Sequence, residues 1–142
     1  MATVAQISLG VDDAERAGAF WAQALGYVRR PPRWAGDDWV VIEPPPAERG
    51  TAIAMDVSES RAEKFPRIHL DLDAGDVDLD AEVDRLVGLG ARRVDWPGYP
   101  APGERHPAEV PYVVLADPER NIFCVGGNRR AAGSDRTQPE RA

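Results

Sequence analysis

Cysteine is nearly missing from this chain: Cys124 stands alone among 142 residues. A single thiol excludes a disulfide framework, a zinc finger and a Cys-x-x-Cys redox pair. Histidine occurs twice, and Lys64 is the only lysine among the 17 basic residues, a bias we read as compositional rather than functional. No apolar run approaches the ~18 residues that a membrane-spanning helix needs. The opening stretch MATVAQISLGVDDAE also lacks the basic and apolar regions of a leader. The expectation is therefore a soluble cytoplasmic protein. Positive charge is scarce as well, with 17 Lys+Arg against 24 Asp+Glu for a net charge of −7. Residues 128–142 hold four Arg against Asp135 and Glu140, so the body of the chain is more acidic than the total suggests. Without basic stripes to displace counterions, nucleic acid and anionic membranes are not expected as partners.

What the chain does have is a repeated order of elements. Ile7, Leu9 and Val11 alternate with Gln6, Ser8 and Gly10, the period of a half-buried strand. Asp12 with Glu15 has capping-box spacing, and Ala17, Phe20, Trp21, Ala24 and Leu25 follow at helical intervals up to Gly26. Strands over Tyr27–Arg30, Trp39–Glu43 and Thr51–Val57 complete a βαβββ unit. The order then recurs. Ile68, Leu70 and Leu72 alternate with His69, Asp71 and Asp73; Leu79, Val83, Leu86, Val87 and Gly90 mark a helix; Ala91–Asp95, Tyr112–Ala116 and Asn121–Gly126 read as strands. The halves align without gaps inside any element, as an internal duplication should. The predicted organisation is a single domain over 1–127, with modules at 3–57 and 67–127, a linker at 58–66 and a disordered tail at 128–142.

Paired βαβββ modules, a His69-Leu70-Asp71-Leu72 strand and the terminal hairpin Asp117-Pro118-Glu119-Arg120-Asn121 together resemble the vicinal oxygen chelate superfamily, and most closely its glyoxalase-like group. Glyoxalase I, extradiol dioxygenases, fosfomycin-inactivating transferases and bleomycin-sequestering proteins belong to that superfamily. The resemblance implies an α+β fold: a curved, partly open mixed sheet with a concave pocket and helices outside. It also implies four metal-facing positions, which fall here on Gln6, Asp56, His69 and Cys124. The family pattern is His or Gln, Glu, His and Glu, so one carboxylate is shortened and another is replaced by a thiol. Relatives carry Gly where Arg120 stands, and Arg there suggests a right-handed turn conformation or a basic side chain at the pocket rim.

The residues bear several readings. Gln6 and His69 share the polar parity of their strands. A thiolate suits zinc but not the open, oxygen-rich site that polarises an enediolate, whereas a free cysteine on a strand is commonly a small buried hydrophobe. Asp56 shares a face with Ala52 and Ala54, where a buried acid needs a partner; alternatively the strand end at Val57 leaves it half in solvent. His69 either binds ligand or transfers protons, or is held by Asp71 or Gln6. The acid-rich run from Asp71 to Asp84 has no calcium-loop spacing, and Asp78 reads as a helix cap. Trp39 and Tyr112 occupy equivalent places in the modules, while Trp96 and Tyr99 sit in a Pro/Gly-rich insertion, Trp96–Ala108, that either covers a ligand or folds on the protein's own flank.

The functional expectation is a metal-independent protein that binds or sequesters an apolar or aromatic small molecule. His69 and Asp56 are the catalytic candidates, and Gln6, Asp71, Trp39, Trp96, Tyr99 and Tyr112 the ligand-binding ones. The alternative is a lyase, isomerase or dioxygenase-type enzyme using one divalent ion (Zn, Fe, Mn or Ni) at Gln6, Asp56, His69 and Cys124, or metal-free proton transfer between His69 and Asp56. A homodimer is the expected assembly.

Overall fold

The computed structural model describes residues 1–96 and 112–128. Tyr99, most of the Trp96–Ala108 insertion and nearly all of the expected tail lie outside the described residues. The element order is β1 (Gln6–Val11), α1 (Ala14–Leu25), β2 (Val28–Arg29), β3 (Val40–Glu43), β4 (Ala52–Val57), β5 (Leu70–Asp73), α2 (Leu79–Leu89), β6 (Arg92–Arg93), β7 (Tyr112–Ala116) and β8 (Ile122–Gly126). The order is βαβββ twice, and several strands are a residue or two shorter than their apolar patterns suggested. No helix among the described residues is long and apolar enough to cross a membrane.

Each module forms its own four-stranded sheet, ordered β1-β4-β3-β2 and β5-β8-β7-β6. The first and last strands of each module run parallel and the other pairs antiparallel. β1 and β5 are therefore both edge strands, and the expected curved sheet is built from two halves.

Local chemistry explains both helices. Asp13, in an extended conformation, caps α1 by accepting the Arg16 N–H at 3.0 Å, and Gly26 closes it at φ 66°. The N-cap is thus Asp13 and not Asp12, while the N–H groups of both turn to the distant Glu119 carboxylate, at 3.4 and 2.6 Å. Asp78 caps α2 as expected, accepting the Ala81 N–H at 3.1 Å. α1 lies so close to β3 that a Cβ at Gly18 would stand 2.6 Å from Val40 Cγ1.

The two modules share one core. Trp21 and Phe20 of α1 meet Phe123 of β8, with the Trp21 and Phe123 centroids 4.9 Å apart, edge to face. Polar groups of the β7–β8 hairpin complete the junction. Asp117, fully buried, accepts Trp21 Nε1–H at 2.9 Å and the N–H groups of Glu119 and Asn121 at 2.9 and 2.8 Å. Burial pushes its carboxyl up from the ordinary carboxylate value, and these donors pull the other way. Glu119, also buried, accepts the Asp12 N–H at 2.6 Å and pairs with Arg16. Asn121 Nδ2 donates to the Gly10 carbonyl at 2.8 Å. The hairpin of the second module therefore receives the end of β1 and the start of α1 from the first.

Arg120 adopts φ 69°, so the turn is left-handed and the right-handed expectation is corrected. Its N–H donates to the Asp117 carbonyl at 2.9 Å, and the bonds on either side leave the turn no other course. Two outcomes follow for stability. Asp117→Ala, which strands the Trp21 indole and two backbone donors, should lower unfolding free energy by about 3 kcal/mol in urea titration. Arg120→Gly should raise it by about 0.5–1 kcal/mol, as relieved strain outweighs added flexibility of the unfolded chain; an unchanged or lower urea midpoint would refute the strain.

Candidate functional site

Strand register decides which side chains share a face. Gln6 pairs with Ala52, Ser8 with Ala54 and Gly10 with Asp56; in the second module Asp71 pairs with Cys124. Leu9, Met55, Leu70, Phe123 and Val125 point the other way, into or against the shared core. Gln6 and Asp71 lie on the opposite faces of their strands, while His69, for which polar parity was expected together with Gln6, precedes β5. In the first module this face also carries a small buried apolar cluster, Val41, Ala52 and Ala54, separate from the main core.

The structure brings three of the expected site residues together. One donor atom each from His69, Asp71 and Cys124 lie within 4.8 Å of one another. His69 Nδ1 stands 3.0 Å from Asp71 Oδ1, and Asp71 also hydrogen-bonds the Cys124 thiol. Burial, the Asp71 charge and that hydrogen bond push the Cys124 thiol up to about 11. The sulfur is thus protonated at neutral pH and is not a ready thiolate.

Asp56 stands apart from this cluster. Half-buried near the end of β4, it lines a separate hollow of about 260 Å³ with Asp38, Trp39 and Met55. Trp39 is half-exposed in that hollow, Gln6 is exposed at the start of β1, and Tyr112 is exposed at the start of β7. The Trp96 ring packs on Phe65 of the linker, centroids 5.2 Å apart, so its indole covers the protein's own flank. The four positions implied for a metal do not fit the group: the Asp56 carboxylate lies outside the one donor cluster found among the described residues, and the fourth position carries a thiol where the oxygen-rich set has a carboxylate.

An apolar cavity was not foreseen from the sequence. A crevice of about 270 Å³ opens where the edges of β1 and β5 face each other, lined by Ile7, Leu9, Trp21, Leu70 and Phe123, with His69 as a polar group and Glu63 and Pro66 of the linker alongside. The signal lay in Ile7 and Leu9: apolar residues of an edge strand whose neighbour is not hydrogen-bonded to it are left half-covered. A larger, polar hollow of about 500 Å³ has Arg61 and Arg120 on its wall, so Arg120 does reach a rim.

A model of the glyoxalase-like domain matches residues 6–126. The chain belongs to the glyoxalase-like domain family. Solved structures agree on the fold. A glyoxalase/bleomycin resistance protein/dioxygenase family enzyme from Burkholderia phytofirmans PsJN is similar at 20% identity and TM-score 0.58, covering 89% of this chain and 98% of that one. The fosfomycin resistance protein FosX of Listeria monocytogenes gives TM-score 0.63 at 15% identity over 89% and 91% of the chains. TnmS3, an antibiotic binding protein from Streptomyces sp. CB03234, gives 0.53 at 19% identity over 90% and 97%. No curated protein matches the sequence. The glyoxalase-like architecture is thus shared with enzymes and binders alike, and the site must decide between them.

The thiol supplies a direct check. In the glyoxalase-like protein, Cys124 alkylation by iodoacetamide at pH 8 should run about a hundredfold below that of an unperturbed thiol and climb about tenfold per pH unit until near pH 11. Asp71→Asn should speed it, since removing the charge lowers the thiol's pKa.

Proposed function

We propose that the protein binds an apolar or aromatic small molecule in the crevice between β1 and β5, without a metal, and sequesters it. The observation that carries this reading is the crevice itself: a partly open cavity with predominantly apolar walls, Ile7, Leu9, Leu70 and Phe123, and one imidazole at its side. The dispersal of the metal positions supports it, because among the described residues the Asp56 carboxylate lies outside the cluster that holds His69 and Cys124. The similarity to an antibiotic binding protein agrees with such a use of the fold. Binding would draw on burial of apolar surface, with His69 available to a polar edge of the ligand.

A second reading is favoured by the His69–Asp71 pair. A carboxylate 3.0 Å from Nδ1 fixes the imidazole's orientation and leaves Nε2 to take or give a proton, so metal-free lyase or isomerase chemistry would run through His69 with Asp71, not Asp56, as its orienting partner. Under the binding reading His69→Ala weakens ligand affinity a few-fold and abolishes nothing; loss of a turnover that wild type performs would favour the second.

Thermal-shift screening against apolar aromatic compounds, with chelator present throughout, tests the proposal. A ligand at a hundred times its Kd should stabilise the fold by about 2.7 kcal/mol. Ile7→Trp, which fills the crevice from β1, should remove that shift while leaving the unliganded melting temperature within a few degrees. Shifts that vanish on chelation, or that survive Ile7→Trp, would overturn it.

A further inference from the structure

We propose that the crevice takes an amphipathic anion: an apolar or aromatic body between β1 and β5, with a carboxylate or similar oxyanion held at the mouth by Arg61 and Arg67 of the linker. This ligand class presupposes binding in the crevice, as proposed above, and adds the charge that the ligand carries.

The crevice does not end at its apolar walls. Glu63, Pro66, Ile68 and Asn121 line it and also line a neighbouring hollow of about 380 Å³, whose walls carry Arg61 and Arg67 as well. The two spaces share a rim, so a ligand longer than the crevice extends into the second. Its apolar part is then covered by β1, β5 and β8, and its far end meets guanidinium groups.

Charge at the mouth runs against that of the chain. Two arginines stand there against one carboxylate, Glu63, in a protein of net charge −7. Among the described residues seven other arginines pair with acids, and Arg61 and Arg67 do not. Their forked N–H donors remain open, and that planar fork matches the two oxygens of a carboxylate. The linker that carries them is fixed at both ends. The Ser58 N–H donates to the Val11 carbonyl at 3.1 Å, the Ser60 N–H donates to Ser58 Oγ at 3.1 Å, and Phe65 packs on Trp96. Less chain freedom is therefore lost when the arginines close on an anion. Exposed ion pairs contribute up to roughly fivefold in affinity apiece, so two arginines opposed by one acid should favour the anion by about tenfold at low salt.

Fluorescence titration of the full chain with dansylglycine and dansylglycinamide, in chelator, tests this, because the two naphthalene probes differ only in a carboxylate against a neutral amide. Dansylglycine should bind wild type about tenfold more tightly at low ionic strength, and the preference should shrink to about twofold in about 1 M salt. Arg61→Gln combined with Arg67→Gln should bring dansylglycine to within about twofold of the amide while leaving the amide's own affinity unchanged. Arg49→Gln combined with Arg92→Gln removes the same charge from residues that line neither space, and should keep the preference. If Ile7→Trp abolishes binding of both probes, the crevice is their site. A preference that is then missing in wild type, that survives loss of both linker arginines, or that disappears equally in the Arg49 and Arg92 variant would overturn the anionic class alone. Absence of saturable binding by either probe, or binding that persists in Ile7→Trp, would overturn it together with binding in the crevice.

Discussion

The buried hydrogen bond from Trp21 Nε1 to Asp117 is the contact on which the rest of the molecule depends. A carboxylate in a fully buried position costs several kcal/mol unless donors surround it, and Asp117 draws its donors from both modules. The β7–β8 turn presents Asp117 to Trp21 of α1, and α1 gains in return the Glu119 carboxylate at its N-terminus. Two copies of one unit thereby become a single structure with a mixed aromatic core.

That junction also makes the seam. It draws β1 toward the β5–β8 edge through Asn121 and the Gly10 carbonyl, yet the two edge strands do not pair into one sheet. The side chains of Ile7 and Leu9 are left facing Leu70 and Phe123 across a gap. A cavity between duplicated modules follows from joining them at a hairpin instead of along a ladder. The polar faces lie beside this gap and divide their labour: Asp56 faces Trp39 in one module, while His69, Asp71 and Cys124 gather in the other.

Much of this was legible in the residues. Period-two alternation placed Gln6 and Asp71 on the polar faces, and helical spacing placed Phe20 and Trp21 in the core, since these depend on local backbone geometry. The N-cap of α1 is Asp13, one residue after the expected Asp12, and the part that a capping box would give to Glu15 is taken by Glu119, 107 residues from Asp12, which no local rule can see. Arg120 is left-handed for a local reason: its own N–H and those of Glu119 and Asn121 on either side all bond to Asp117 within the turn. Asp117 and Glu119 read as ordinary turn residues because their partners lie in the other module. Parity likewise put Asp56 and His69 on equivalent faces, but whether two faces converge depends on how sheets pack, and a strand pattern does not carry that.

On the function proposed above, ligand enters the seam between the modules without help from a metal. Chemical-shift mapping of the labelled protein with a bound aromatic compound, in chelator, tests it most directly. Saturable shifts are expected at Ile7, Leu9, Leu70, Phe123 and the Trp21 indole N–H, with little change at Trp39 and Asp56. Shifts centred on Trp39 and Asp56, or seen only when a divalent ion is added, would contradict it.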